Sequence, residues 1–291
     1  MALLISKVQN RNCEKGEFHE IAERNLEDTI SLLLNFPWEQ ERHLANVELT
    51  CPSVTVEHPG GTFLKVGPYF SGKFSLYYLA GNKHVYSKPA STLAEAAECI
   101  SSFFRQEGIL NDFSKYGFVF RPSAHFLTNP FVYKLGGPST EHFFKNARLV
   151  LLIGLFFAGL MFFMPMTVSS FTFLVILLVL TVLSYSPLIY LYFNYKHFDK
   201  DKCLQLSRGS DSFTLQQGDD TTVYQKSHIE LITITGRRSR RNPWANCRVF
   251  NVSFKNGDEV QFTSLLIPEV HFRNKFPDHT VENVWKFLPA V

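Results

Sequence analysis

The longest uncharged stretch of the chain constrains its fold more than any other feature. Residues 149–195 are 47 consecutive positions without Asp, Glu, Lys, Arg or His, although 19% of the whole chain is charged. Two apolar runs, 149–166 and 171–193, are separated by the uncharged residues 167–170. A hydrocarbon core of about 30 Å needs about 20 helical residues, so each run is long enough to cross a membrane. The stretch predicts a two-helix transmembrane hairpin, and the alternative is a hairpin buried in protein.

Basic residues flank this stretch and set its predicted orientation. Lys and Arg in short flanks resist translocation, and they occur before the first run and after the second: Lys145, Arg148, Lys196, Lys200 and Lys202. This pattern predicts a multi-pass protein of the bacterial inner membrane with both termini in the cytoplasm. Neither run contains an ionisable residue, so transport is disfavoured and the hairpin is interpreted as an anchor. The spacing of Gly154 and Ala158 would also allow a homo-oligomer through the hairpin.

The cysteines indicate a reducing compartment. There are five, they are widely spaced, and no two form a C-x-x-C pair: Cys13, Cys51, Cys99, Cys203 and Cys247. An odd number without close spacing argues against a disulfide framework and against a zinc site. We therefore expect no metal and no cofactor.

The region before the hairpin, residues 1–138, predicts a small α+β domain. Apolar residues recur at three- and four-residue intervals from Glu17 to Phe36, which is typical of an amphipathic helix. Its acidic face could bind a basic partner or simply face solvent. Short strands separated by turn residues follow at 47–50, 54–57, 63–66, 74–79 and 84–86. A second helix is predicted from Ser91 or Thr92, with Glu95 at capping-box spacing from Thr92.

The segment 108–133 is rich in aromatic residues, and two interpretations remain open for it. It could lie along a lipid interface, or its residues could form strands that complete the N-terminal sheet.

No catalytic motif is visible in the N-terminal region. His58, His84 and His125 are scattered singly, and neither a nucleophile motif nor a phosphate loop occurs. A binding domain is therefore favoured over an enzyme with a site in this domain.

The region after the hairpin, residues 199–291, predicts a series of antiparallel strands. They cover 203–207, 212–216, 222–225, 229–235, 248–254 and 259–263. Asn256 and Gly257 between the last two strands are typical of a tight hairpin. Apolar residues at helical spacing over 279–288 predict a C-terminal helix.

Residues 203–288 resemble a pleckstrin-homology-like (PH-like) β-barrel closed by a terminal helix. The resemblance rests on Ile229 and Ile232, on the Phe-Lys-Asn-Gly-Asp hairpin at 254–258, and on the Trp285 helix. It implies a domain that binds phosphoinositides in some members and protein segments in others, and that seldom catalyses a reaction. Two membrane helices before such a domain are similar to an arrangement in bacterial membrane proteins. The N-terminal segments 67–73, Tyr77-Tyr78 and 91–96 resemble those of toxin-immunity modules. This resemblance implies that the N-terminal domain binds a toxin.

The candidate binding residues form a basic loop in the C-terminal region. Residues 1–148 carry 15 basic and 15 acidic side chains, whereas residues 196–291 carry 14 and 11, so the net charge of +3 belongs to the C-terminal region. The predicted lipid- or partner-binding residues are Arg237, Arg238, Arg240, Arg241 and Trp244. They could bind anionic lipid, with Trp244 as an interfacial ring, or an acidic protein. Nucleic acid or a solvated loop are the other interpretations. The loop lacks the Lys-x-Arg pairing of a phosphoinositide site, which argues against specific inositide recognition.

Together these observations predict an α+β multidomain membrane protein. An N-terminal domain (1–138) is followed by a transmembrane hairpin (139–198) and a PH-like domain (199–291). The expected function is that of a non-enzymatic integral membrane protein that anchors two binding domains and binds a protein partner, such as a toxin. The alternatives are a membrane-surface sensor that binds anionic lipid through the PH-like domain, and an enzyme.

Overall fold

The structure, a computed structural model, divides the chain into two compact units. It describes residues 2–42, 48–50, 52–106, 112–117, 121–136, 138–145, 148, 152, 155–156, 159, 168–239 and 242–291. The first unit comprises residues 1–131 and 207–210, and the second comprises residues 132–206 and 211–291.

The first unit is built on a seven-stranded antiparallel sheet with the order β2-β1-β3-β4-β5-β6-β7. Its strands are β1 (Leu4–Gln9), β2 (Glu20–Arg24), β3 (Ser53–His58), β4 (Thr62–Pro68), β5 (Phe74–Leu79), β6 (Val85–Ala90) and β7 (Ser114–Lys115). The strand predictions for 54–57, 63–66, 74–79 and 84–86 are therefore confirmed. Residues 48–50 form a turn instead of the predicted strand, and residue 47 lies outside the described residues.

The helices of the first unit are α1 (Leu26–Asn35), α2 (Trp38–Arg42) and α3 (Leu93–Arg105). Alternate strand residues such as Val56 and Leu64 form one core with Leu33 of α1 and Ile100 of α3. Because side chains alternate between the two faces of a strand, this core occupies one face of the sheet. The predicted cap of α3 is confirmed, since the Oγ1 atom of Thr92 accepts a hydrogen bond from the N–H of Glu95 at 3.2 Å.

The first predicted helix starts later than expected. Residues 20–24 form β2, which pairs with β1, and α1 begins at Leu26. Asn25 is the N-cap, and its Oδ1 atom accepts a hydrogen bond from the N–H of Asp28 at 2.9 Å. The apolar residues Phe18 and Ile21 fitted the helical spacing, but pairing with β1 satisfies the backbone of 20–24. The end of the helix near Phe36 is confirmed.

The aromatic segment 108–133 contributes to the cores of the protein where it is described. Phe126 and Phe131 are buried, and Phe113 packs against the helix-covered core. β7 joins the edge of the seven-stranded sheet beside β6. These observations favour the strand interpretation over a lipid interface, while residues 108–111 and 118–120 lie outside the described residues.

The second unit contains two four-stranded sheets. The first has the order β11-β10-β9-β8, with β8 (Val132–Lys134), β9 (Lys202–Gln205), β10 (Ser212–Gln217) and β11 (Asp220–Gln225). The second has the order β14-β13-β12-β15, with β12 (Ile229–Gly236), β13 (Arg248–Phe254), β14 (Glu259–Thr263) and β15 (Val281–Trp285). The helices are α4 (Pro138–Phe143), α5 (Val168–Phe198) and α6 (Glu269–Asn274). Six strands match the predicted series, and the hairpin at Asn256-Gly257 is confirmed by Gly257 with φ +89°.

Both sheets of the second unit share one apolar core. Leu204 and Phe213 come from the first sheet, and Ile232 and Phe250 come from the second. Phe272 of α6 stacks on Phe250 with ring centroids 4.3 Å apart. α6 therefore closes this core.

The predicted transmembrane hairpin is wrong. In the part of the chain that the structure describes, no helix has the length and apolar character needed to cross a membrane. Part of α5 is instead buried in protein, because Leu188, Leu191 and Tyr195 pack with Val249 of β13. The first run, 149–166, with Gly154 and Ala158, lies almost entirely outside the described residues.

This finding corrects the predictions that depended on the hairpin. The predictions of an integral membrane anchor and of a multi-pass inner-membrane localisation are wrong. The fold class is wrong as well, since the described chain is mostly β-sheet with few helices. Within α5, Tyr185 and Leu188 are buried, whereas Val179 and Leu183 are exposed, so length and lack of charge did not indicate the surroundings of these side chains. β8 precedes the apolar stretch and pairs with β9, which follows it, so the stretch interrupts a sheet.

The predicted C-terminal helix is also wrong. Residues 281–285 form β15, which pairs in parallel with β12. Val281, Val284 and Trp285 fit the spacing of a helix, but the edge of β12 offers backbone partners that are distant in sequence. The helix of this region is α6, which lies before β15.

Candidate functional site

β12 carries the start of the predicted basic loop and also positions the C-terminal segment beside it. Gly236 ends β12 and stands opposite Trp285 in the register of the parallel pair. The N–H of Lys286 donates a hydrogen bond to the carbonyl oxygen of Gly236 at 3.0 Å. Arg237 and Arg238 follow Gly236 directly. Two segments that are almost 50 residues apart in sequence therefore meet at one end of the sheet.

Trp244 is buried and packs in the core next to the basic loop. Its side chain is 8% exposed and packs with Tyr195 and Val249. Its Nε1–H donates a hydrogen bond to the carbonyl oxygen of Phe287 at 3.2 Å. Trp244 thus holds the C-terminal segment and does not present its ring at the surface.

Arg237 lies against aromatic rings. Its guanidinium carbon is 4.4 Å from the ring centroid of Phe287 and 4.9 Å from that of Trp244. Such contacts stabilise the cation and fix the plane of the guanidinium. Its Nη1 atom is buried and has no hydrogen-bond partner within the described part of the chain.

The other predicted site residues are placed as follows. Arg238 is exposed next to Arg237. Arg240 and Arg241 lie outside the described residues, so their part in the site stays a prediction.

Three residues of the site were missed by the sequence reasoning. Trp285 is 52% exposed and Phe287 is 68% exposed, and Lys286 between them is exposed as well. The helix prediction grouped Trp285 with Val281 and Val284 by their helical spacing. The triplet Trp-Lys-Phe is the signal that could have found them, because large exposed aromatics beside a cation are typical of binding surfaces. We call Arg237, Arg238, Trp285, Lys286 and Phe287 the basic-aromatic patch.

The end of the chain is held in place behind the patch. The hydroxyl of Tyr195 donates a hydrogen bond to the carbonyl oxygen of Pro289 at 2.6 Å. Asn194 and Val291 exchange two hydrogen bonds, of 3.0 and 3.3 Å. Burial raises the pKa of the Tyr195 phenol well above its ordinary value, so the hydroxyl stays a donor. Hydrogen bonds from α5 therefore hold the residues that follow the patch, Pro289 and Val291, in place.

An ion-pair network ties α6 to the strands beneath the patch. Glu269 of α6 accepts hydrogen bonds from Arg248 of β13 at 2.7 Å and from Arg273 at 2.8 Å. Arg273 also donates a hydrogen bond to Asn283 of β15 at 2.6 Å. The side chain of Arg248 passes directly over Gly236, where an added Cβ would lie 2.4 Å from the Cδ of Arg248. A larger residue at the end of β12 would therefore displace the Arg248 side chain, which pairs with Glu269.

The first unit contains a buried polar cluster, but its groups are satisfied internally. The Nζ of Lys65 donates hydrogen bonds to the backbone oxygens of Leu49 at 3.0 Å and His125 at 2.6 Å, and to the Oε1 of Gln9 at 3.2 Å. Lys7 pairs with Glu57 at 2.5 Å. These contacts hold the segment near His125 against the sheet, and the side chains of Lys7 and Lys65 are buried.

The three histidines considered at the outset make separate contacts. His58 contacts Gln106, His84 bonds within its turn to Asn82, and the ring of His125 bonds to the hydroxyl of Thr50 at 2.6 Å. Among the described residues, no group of three His, Cys, Asp or Glu side chains is arranged to hold a metal ion.

The second unit therefore has two sheets around one apolar core, with cationic and aromatic side chains at one end. A family model described as a PH domain matches residues 132–275. The prediction of a PH-like domain is therefore confirmed, and the match begins at β8, before the apolar stretch. Comparison with curated proteins and with solved structures found no match. The resemblances to toxin-immunity modules and to bacterial membrane proteins are accordingly unsupported.

Proposed function

We propose that the chain is a non-enzymatic binding protein whose PH-like domain binds an acidic segment of a partner protein at the basic-aromatic patch. The observation that carries this proposal is the Arg237 guanidinium. Its guanidinium carbon lies 4.4 Å from the ring centroid of Phe287 and 4.9 Å from that of Trp244, next to the exposed Arg238. A planar, oriented guanidinium suits a carboxylate, which accepts two parallel hydrogen bonds.

The remaining patch residues supply the rest of a protein-binding surface. Trp285 and Phe287 offer large apolar areas at low cost in conformational entropy, as the central residues of interfaces do. Arg238 and Lys286 lie beside them and attract a negatively charged partner during approach. Apolar anchors surrounded by charge therefore match a segment that carries both carboxylates and aliphatic side chains.

PH domains commonly bind lipids or proteins, and two features favour a protein. The exposed carboxylate of Glu282 lies on β15, three residues from Trp285. It would repel a uniformly anionic lipid surface, whereas a peptide can place a neutral residue opposite it. The guanidinium of Arg237 also packs against two aromatic rings, and such a restrained cation favours a ligand of defined geometry over a fluid layer of headgroups.

The test measures binding of the full chain to a fluorescent peptide of about eight residues in which Glu alternates with Val. Fluorescence anisotropy gives the dissociation constant for the wild type and for the double variant Arg238→Glu/Lys286→Glu. Reversing two charges that face the peptide is expected to weaken binding at least about tenfold. The matched control is Lys200→Glu/Lys255→Glu, which makes the same charge change at exposed residues of the same unit.

The control variant should keep the wild-type affinity to within about threefold. Equal weakening by both double variants would show that only net charge matters and would contradict the proposal. Flotation of the full chain with phosphatidylserine vesicles, but no binding of the peptide, would assign the patch to lipid.

A further inference from the structure

β15 lies at the edge of its sheet and follows directly into the basic-aromatic patch. It pairs on one side only, with β12, in the register Ile232 with Val281 through Gly236 with Trp285. Its five residues include neither proline nor lysine, two residues that natural proteins place in edge strands to prevent further pairing, and its one charged side chain is that of Glu282.

The direction of the backbone groups of β15 can be assigned from two hydrogen bonds. The carbonyl oxygen of Thr280 accepts from the N–H of Ile232 at 3.2 Å, and the N–H of Lys286 donates to the carbonyl oxygen of Gly236 at 3.0 Å. In a parallel pair, alternate residues face the same neighbour. Residues 280, 282, 284 and 286 therefore face β12, and Val281, Asn283 and Trp285 direct their N–H and C=O groups outward.

The other edge of the same sheet is formed by β14, and side chains cover it. At β14, the N–H of Thr263 donates to the carboxylate of Asp199 at 3.1 Å. The carbonyl oxygen of Gln261 accepts from the Nζ of Lys202 at 2.8 Å. Side chains thus occupy outward backbone groups of β14, whereas the described part of the chain places no strand along the outer edge of β15.

We infer that the acidic segment binds as an extended strand added to the outer edge of β15. This inference rests on the proposed function and specifies the conformation of the ligand. The backbone of the segment pairs with Val281, Asn283 and Trp285, and its carboxylates reach Arg237, Arg238 and Lys286 at the end of the strand. Backbone pairing supplies affinity without side-chain specificity, and the alternate side chains of the ligand supply specificity, as in other strand additions.

Two backbone-methylated forms of the Glu-Val peptide test the inference with the full, unaltered chain. One carries N-methyl groups on every Glu and the other carries them on every Val, so that each form blocks one edge of the peptide strand. One form is expected to lose at least about tenfold in affinity, because its donors face β15, and the other is expected to stay within about threefold of the parent peptide.

Equal affinities for the two methylated forms would overturn strand addition. If the double charge reversal still weakened binding in that case, the proposed function would stand and only the inference would fail. If the charge reversal had no effect, the proposed function itself would fail.

Discussion

Lys65 shows how a single buried charge organises the first unit. Its side chain is 1% exposed, and its ammonium group donates hydrogen bonds to three oxygen atoms. Replacing the donor leaves the backbone oxygens of Leu49 and His125 without it, while the Oε1 of Gln9 still accepts from the hydroxyl of Ser53 at 3.3 Å. We expect Lys65→Met to lower the free energy of unfolding by about 2 kcal/mol, since each unsatisfied buried group costs about 1 kcal/mol or more. Urea denaturation followed by circular dichroism measures this change.

The exposed Lys73→Met serves as the control for that experiment. It should change the free energy of unfolding by less than about 0.5 kcal/mol, as surface substitutions generally do. A Lys65→Met variant as stable as Lys73→Met would mean that the buried cluster does not hold the first unit together.

His125 makes the stability of the first unit depend on pH. Burial, with a further contribution from Lys15 and Lys65, lowers the pKa of its imidazole from 6.5 to about 3. The folded protein therefore keeps this ring neutral while the unfolded chain takes up a proton, so stability is lost as the pH falls from about 6.5 towards 3. We expect His125→Gln to reduce the loss of stability between neutral and acidic pH. Urea midpoints across this pH range give the measurement.

The exposed His84→Gln is the matched variant for the pH experiment. Its pH profile should follow that of the wild type. Identical profiles for His125→Gln and the wild type would show that His125 does not contribute to this pH dependence.

At the scale of the elements, Gly236 couples β12 to the ion-pair network under the patch. A methyl group at this position would lie 2.4 to 2.7 Å from three atoms of the Arg248 side chain, which is paired with Glu269. Gly236→Ala is expected to destabilise the protein by about 2 kcal/mol, because overpacking a buried site costs about 1 to 3 kcal/mol. Thermal or urea unfolding measures the change. Gly81→Ala, where nothing lies within 4 Å, is the control and should be nearly neutral.

Strands and helices could be predicted where turn residues or a capping residue mark their ends in the sequence. Turn residues at 59–61 and at Asn256-Gly257 delimited strands that the structure confirms, and the Thr92 cap marked the start of α3. The segments near Ile21 and Val284 were assigned as helices, because their apolar spacing fits a helix and their strand partners lie elsewhere in the chain. The patch was found only in part for the same reason. Its arginines form a visible cluster in the sequence, whereas Phe287 joins them through the parallel pairing of β15.

At the scale of the whole molecule, the apolar stretch 149–195 was wrongly predicted to form a transmembrane hairpin. A run without charge satisfies the requirements of a bilayer and those of a protein core equally. The burial of Leu188, Leu191 and Tyr195 in the second unit could not be inferred from the spacing of residues around 149–195. The pairing of β8 with β9 across this stretch is equally long-range. What the sequence did indicate was a basic PH-like domain, which the family match at 132–275 supports.

Hydrogen exchange of the full chain, with and without the Glu-Val peptide, tests the central claim most directly. The peptide is expected to slow the exchange of backbone amides in residues 281–287 and next to Arg237 and Arg238. The amides of residues 69–73 in the first unit should exchange at an unchanged rate. Protection that is absent from 281–287, or that is confined to the first unit, would contradict the assignment of the binding surface to the basic-aromatic patch.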